Sequence, residues 1–286
     1  MPSTTPCDED STYVVTAVRY ATLPARRSAL FLNYDDYGVA DAPGDLDYYF
    51  WVIRNDRRTV VFDTGFDPAV GTRRGRSVLI DPRDAMDVLG VGDDHRTIVV
   101  LSHLHYDHVG NLARFVSSRV ILAAREYDFW VRSPRRLHLT DQLVEAAELA
   151  TVRAVHVERR LDLLGDGDSE IAPGIVALAG YGHTPGQLML LVQTADGAVL
   201  LTSDAVHLDE ELERRMPFRH MCDLASSADT YDRIDELVTS GHVVRVAAGH
   251  QPGLVGRFPR DFSLPDHTAV LSSRPTTESK EGIPWH

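Results

Sequence analysis

Cysteine is nearly absent from this 286-residue chain: Cys7 and Cys222 are the only two, in unrelated contexts, so no disulfide framework is implied and each reads as a free thiol. No window is long and apolar enough to span a bilayer, which leaves membrane insertion without support. The first ten residues lack both a basic region and an apolar core, so they read as a polar, disordered arm and not as a secretory signal. Basic charge is also scarce. Lys and Arg number 29 against 42 Asp and Glu, a formal net charge of −13, and an acidic surface repels phosphate backbones, which disfavours a nucleic-acid partner. There is no Gly-x-Ser-x-Gly elbow to supply a serine nucleophile and no internal repeat. What remains, with 43% hydrophobic and 25% charged residues, is the composition of an ordinary globular protein of the cytoplasm.

Against these absences stands one dense stretch, Ser102-His103-Leu104-His105-Tyr106-Asp107-His108-Val109-Gly110. It follows the apolar run Thr97 to Leu101, which reads as a buried strand. Side chains two apart lie on the same side of an extended backbone, so His103 and His105 can converge on one ion. Asp107 and His108 follow where the chain turns, just before a short helical pattern from Gly110 to Val116, and can reach a second ion. Neutral imidazole and carboxylate suit a borderline divalent metal such as zinc. A His-rich surface loop would not ordinarily be launched from a buried strand and closed by glycine.

Three further candidates sit at the ends of predicted strands, where α/β proteins place their chemistry. His183 lies in the turn Gly182-His183-Thr184-Pro185-Gly186, Asp204 ends the strand Ala198 to Leu201, and His250 ends the strand Val243 to Val246. Upstream, Phe62-Asp63-Thr64-Gly65 forms another strand-end turn; Asp63 is either a plain turn residue or a group that fixes a ligand imidazole.

The order HxHxDH, His, Asp, His resembles the dinuclear metallo-β-lactamase superfamily over roughly residues 14–258. The resemblance implies an α/β fold, the αββα sandwich of two mixed sheets with helices outside. It implies two Zn2+ per chain, with His103, His105 and His183 on one, Asp107, His108 and His250 on the other, and Asp204 bridging. Asp63 would fix a ligand ring. His at position 105, where the flavin-linked di-iron branch has Glu, points away from that branch. A bridging Asp204 without a nearby Cys points away from the true β-lactamases. Glyoxalase-type thioester hydrolases and RNA-processing nucleases share the ligand set.

Within the superfamily, His-Leu-His-Tyr-Asp-His-Val-Gly-Asn-Leu, Asp63-Thr64-Gly65, His183-Thr184-Pro185-Gly186 and Ser203-Asp204-Ala205 look most like the lactonases that open N-acyl-homoserine lactones. Two positions depart: His207 stands where that branch commonly has Tyr, and Gln187 where it usually has His. The resemblance then implies a hydrolase in which two ions ~3.5–4 Å apart activate a hydroxide against the carbonyl of a lactone or ester. Asp107, Asp204 and His207 are the catalytic candidates, Asp204 relaying the proton and His207 donating to the carbonyl. His207 otherwise reads as a solvated residue opening the acidic helix 209–215. Another lactone or a hydroxyacyl thioester is the alternative substrate, and a homodimer is compatible with the reading.

The remaining elements follow from pattern. Strands are expected at 13–20, 48–53, 58–62 and 120–123, and a second set at 161–164, 170–178, 188–194 and 199–201. Helices are expected from Asp81-Pro82 to about Leu89, over 124–131 and over 226–240 with Ile234, Leu237 and Val238 inward. Residues 133–149 read as an inserted helical region whose Arg135, Arg136 and His138 form a solvated face or meet an acidic substrate group. Residues 21–47 are either a loop over the site or a plain surface connection. One domain over 11–271, flanked by an arm (1–10) and an unstructured tail (272–286), is the expected organisation.

Overall fold

The computed structural model describes residues 9–133 and 138–273. Two sheets stack face to face. The first contains β1 (Val14–Leu23), β2 (Leu46–Arg54), β3 (Thr59–Phe62), β4 (Ser77–Val78), β5 (Thr97–Val100), β6 (Arg119–Ala123) and β7 (Leu161–Leu164). The second contains β8 (Ser169–Ala172), β9 (Ile175–Ala179), β10 (Leu188–Thr194), β11 (Gly197–Ser203) and β12 (Arg245–Ala248); the last strand, β13 (Thr268–Val270), returns to the edge of the first. The order is β13-β1-β2-β3-β5-β6-β7, with β4 paired to β1, and β12-β11-β10-β9-β8. Both sheets are mixed: β3-β5-β6-β7 and β11-β12 run parallel, the other pairs antiparallel.

The strand period of two explains the layering. On β2, Tyr49, Trp51 and Ile53 point between the sheets, where they join Leu190, Val192 and Leu201 of the second sheet. Tyr48, Phe50 and Val52 point the other way, into a core shared with Met86, Tyr127 and Trp130 from the outer helices. A third core covers the far side of the second sheet, where Ile234 and Val238 of the helix Leu224–Thr239 meet Met189 and Leu200. Three cores between four layers are the αββα sandwich.

Asp81 caps the helix Pro82–Val88 and Asp223 the helix Leu224–Thr239, each by accepting from backbone N–H groups. Two expectations need correction. Leu161–Leu164 belongs to the first sheet, parallel to β6 with Val120 opposite Leu161, and not to the second set. The expected strand 170–178 breaks at Pro173-Gly174 into β8 and β9. Arg135 and Arg136 lie outside the described residues; the rest of that region holds the helices His138–Asp141 and Ala146–Val157. At the ends of the domain, Glu9–Ser11 form a 3-10 turn with Asp10 paired to Arg57, and Ser272 Oγ accepts from Val15 N; the arm and tail otherwise lie outside the described residues. Among the described residues no helix is long and apolar enough to cross a membrane.

Candidate metal centre

Every candidate ligand sits beyond the end of a strand, on one rim of the sandwich. β5 leads into His103 and His105, and the single turn Tyr106–Val109 then aims Asp107 and His108 at the same point. The chain does not continue as a helix through 110–116; it passes into a 3-10 turn at Leu112–Arg114. The helical path ends at Asn111, at φ −112° and ψ 19°, and the turn is held in place by the preceding Gly110. Its backbone packs so tightly on the Asp63–Asp67 turn that a Cβ would lie 2.7 Å from Phe66 Cα and 2.9 Å from Gly65 O. Asn111 then clamps that turn by donating to Thr64 O at 2.9 Å and Phe66 O at 3.0 Å.

From the second sheet come His183, Asp204 and His250. Asp204 follows Ser203, whose φ of 45° is a strained left-handed conformation for a residue with a side chain; Asp63, at φ 63°, is strained likewise. Gly249 permits the approach of β12 to this turn, since a Cβ there would stand 2.6 Å from the Ser203 carbonyl carbon.

The structure brings all seven expected ligands together in two groups, His103, His105, His183 and Asp204 in one, Asp107, His108 and His250 in the other, all buried. Asp204 lies between them. Its Oδ2 is 3.4 Å from His183 Nε2 and 3.9 Å from His103 Nε2, while its Oδ1 is 3.3 Å from His108 Nε2 and 3.2 Å from His250 Nε2. His105 Nδ1 and His183 Nε2 converge to 2.9 Å.

Three of the rings are held from behind. His108 Nδ1 meets Asp63 Oδ2 at 2.8 Å, His183 Nδ1 the His220 carbonyl at 2.7 Å, and His250 Nδ1 the Asp47 carbonyl at 2.9 Å. These acceptors keep the proton on Nδ1, so each Nε2 offers a lone pair to the centre. Asp63 acts as expected and does more, since it also accepts from Ser102 N, Ser102 Oγ and Ser203 Oγ at 2.8, 2.9 and 3.0 Å.

The residues fit a pair of divalent ions. His103 Nε2, His108 Nε2 and Asp204 Oδ1 are buried without a hydrogen-bond partner, a costly arrangement in a protein interior that coordination relieves. Burial, with neighbouring histidines adding to it, holds His103 and His183 well below the usual imidazole range; burial dominates at His105 too. Neutral imidazole is the form that binds metal. Burial opposes charge on His108 as well, but Asp204, Asp107 and Asp63 outweigh it and raise that ring.

His207 is 1% exposed, which removes the solvated reading. Its Nε2 is 3.2 Å from Asp204 Oδ2, its Nδ1 is 3.2 Å from Glu211 Oε1, and its ring stacks on Phe218 at 3.7 Å. Burial disfavours the charged ring, yet Asp204 and Glu211 together push its pKa up to about 9. Gln187, the other departure, is fully buried and donates to Leu188 O at 2.8 Å.

Several residues of the site carried no signal in the sequence. Glu126, fully buried, accepts from Leu104 N at 3.0 Å and Gly186 N at 2.9 Å, tying the His103–His105 loop to the His183 turn; burial pushes its carboxyl up to about 7. Glu211 accepts from His207 N, Leu208 N and Tyr231 Oη. Tyr20 Oη donates to the Asp107 carbonyl at 2.9 Å. The segment 21–47 walls the site: Leu23, Ala25, Ala29 and Leu30 line a cavity of about 220 Å³ that opens on Asp107, Asp204 and His207.

The model of the metallo-β-lactamase superfamily matches residues 43–250 of this chain. The N-acyl homoserine lactonase AiiA of Bacillus thuringiensis subsp. kurstaki is 24% identical over 214 residues, 68% of this chain and 79% of the relative. The N-acyl homoserine lactonase AiiB of Agrobacterium fabrum is 33% identical over 183 residues, 57% of this chain and 64% of the relative. Among solved structures, a quorum-quenching N-acyl homoserine lactone lactonase superposes with a TM-score of 0.68 at 19% identity, covering 85% of this chain and 93% of the other. The dizinc lactonase AidC superposes at 0.65 and 15% identity, covering 86% and 92%. The sandwich, the ligand order along the chain and these matches agree: the chain belongs to the metallo-β-lactamase superfamily.

Proposed function

We propose that the chain is a dinuclear zinc hydrolase of the cytoplasm that opens the ring of a small-molecule lactone, of the N-acyl-homoserine-lactone kind. The observation that carries this reading is Asp204, placed with one carboxylate oxygen toward each of two ligand groups. His103, His105 and His183 would hold one ion, Asp107, His108 and His250 the other. When bound, two zinc ions supply an activated water and Lewis acidity for ester hydrolysis without a side-chain nucleophile.

The chain's own groups do the rest. Asp204 holds the two halves of the site in register and takes a proton toward the departing alkoxide. Asp107, beside the cavity, helps to fix where the scissile carbonyl lies. His207 faces the same space with Nδ1 3.2 Å from Glu211 Oε1, so that Nε2, 3.2 Å from Asp204 Oδ2, is the atom turned toward the carbonyl oxygen. Phe218, stacked on that ring, sets its plane. Because His207 takes the place of the Tyr common in homoserine lactonases, another lactone or a hydroxyacyl thioester is the second reading.

Protein prepared without chelator should contain close to two metal equivalents per chain, and a proton-release screen of lactones, thioesters and β-lactams should give its highest turnover on a lactone. Asp204→Asn should stay folded, lose most of that turnover and retain less metal, since an amide is a poorer bridge between cations. A metal content near zero after supplementation, or wild-type turnover by folded Asp204→Asn, would overturn the assignment. Hydrolysis of thioesters alone would move it to the second reading.

A further inference from the structure

The cavity beside the metal centre has a charge pattern opposite to that of the chain. The protein carries a formal net charge of −13, yet apart from the two candidate ligands Asp107 and Asp204 and five histidines the charged residues lining this cavity are Arg74, Arg76 and Arg219. Arg74 is answered: its Nη2 and Nε lie 2.7 and 3.1 Å from Glu145 Oε1. The other two are not. Among the described residues neither Arg76 nor Arg219 forms an ion pair. Arg76 donates through Nε to Tyr106 Oη at 2.9 Å and lies over the rings of Tyr106 and Tyr48, with centroid distances of 5.7 and 5.9 Å. Arg219 donates through Nη1 to the Ala29 carbonyl at 3.1 Å, at the exposed side of the cavity.

A half-buried guanidinium whose bonds go to a phenol and a backbone carbonyl keeps a full positive charge with no counter-ion. The tyrosines fix its plane, and a fixed planar fork is the group that recognises an oxyanion in two-point fashion. Arg76 lines the same cavity as Asp107 and Asp204, so Arg76 and the centre face the same space. Size points the same way. A cavity of about 220 Å³ is smaller than the ~300–1,000 Å³ that drug-sized ligands occupy, and its apolar wall of Leu30, Leu46, Leu143 and Phe218 is short. It suits a ring with a short arm better than one with a long aliphatic chain.

Building on the hydrolase reading, we propose that the substrate carries a compact oxyanion, a carboxylate or phosphate a few atoms from the scissile carbonyl, which Arg76 grips while Arg219 screens it at the mouth. Arg76 is thus a specificity residue, and the reaction takes an acidic lactone or ester.

The test compares three probes with one ring: N-succinyl-homoserine lactone, ending in a carboxylate; N-(phosphonoacetyl)-homoserine lactone, ending in a phosphonate; and neutral N-butanoyl-homoserine lactone. The zinc-loaded wild type should favour one of the anionic probes over the neutral one by at least ~10-fold in kcat/KM, mostly through KM, and which of the two it favours tells carboxylate from phosphate. Arg76→Ala should reduce that preference ~10- to 100-fold, the range expected for losing a hydrogen-bonded charge partner. Arg76→Lys, which keeps charge without the fork, should recover part of it. If Arg76→Ala does not fold, Arg219→Ala, at an exposed position, should still narrow the preference severalfold. A neutral probe turned over as well as both anionic ones, or a preference unchanged in the arginine variants, overturns the proposal while ring opening itself leaves the hydrolase reading standing. If no lactone is opened, that reading fails, and calorimetry with the matching γ-lactams decides this one. Tighter binding of an anionic lactam that weakens in Arg76→Ala upholds it; equal binding of all three overturns it.

Discussion

His207 shows how much one side chain's surroundings decide. By spacing alone it is a residue three places after Asp204 at the mouth of an acidic helix. In the fold it is sealed between Phe218, Asp204 and Glu211. Glu211 is in turn fixed by two backbone N–H groups and Tyr231 Oη, so the carboxylate cannot swing away and the ring has one orientation. If His207 donates to the carbonyl oxygen as charge develops there, His207→Ala should lower turnover on the lactone substrate ~10²–10³-fold with metal content unchanged. His207→Tyr should retain part of the activity, because a phenol also donates. Glu211→Gln should cost less, ~10-fold, since the ring stays but its anchor weakens. The readouts are steady-state kinetics and elemental analysis on the same preparations; kinetics untouched in His207→Ala would mean that the carbonyl is held without this ring.

At the scale of elements, the loops after β3, β5, β9, β11 and β12 form the site, and they differ in how readable they were. The seven candidate ligands stood out because HxHxDH is contiguous and because His183, Asp204 and His250 each end an apolar run. The αββα layering was legible because the strands fall into two sets with helices beside them and because the resemblance implies it; the faces of β2, where Tyr48 to Ile53 are all apolar, appear only in the fold. β7 was not: four residues with one buried position carry no mark of which sheet they join, and only pairing with β6 decides it. Glu126, Arg76 and the Asp47 carbonyl were equally silent, since they act across 22 to 203 residues of sequence on groups that only the folded chain brings near. Gly110 shows the same dependence as a packing limit. Gly110→Ala should force the turn at 106–109 away from residues 65–67, lowering both melting temperature and metal retention, because His108 and its Asp63 anchor lie on the two sides of that contact. Gly92→Ala, where a Cβ would meet nothing closer than 3.9 Å, is the control and should change neither. Equal metal content and melting temperature in the two variants would show that the contact at Gly110 has room to relax.

For the whole molecule, the ion site and the acidic balance act together on stability. Ligands from both sheets meet at one rim, so bound metal ties the sheets to each other and its binding energy adds to that of the fold. Opposed to this is Glu148, in the first turn of the helix Ala146–Val157, which is 8% exposed and has neither carboxylate oxygen hydrogen-bonded. Burial, then the charges of Glu145 and Asp107, push its pKa up to about 8, against 4.5 for an ordinary Glu. The sign follows from linkage. A group whose folded pKa is raised favours the native state fully only below its unfolded pKa, and that contribution is lost as pH climbs from about 4.5 through 8. Glu148→Gln keeps the shape and removes the titration. The variant should therefore melt close to wild type near pH 5 and above it from pH 7 upward, with the gap widening until about pH 8 and constant beyond. A chain of this size gains ~2–4 °C per kcal/mol, so the difference is well within reach of thermal melts across a pH series. Comparing the two proteins at each pH cancels any loss of metal common to both, and a gap that stays flat from about pH 5 to 9 would place the Glu148 carboxyl in water.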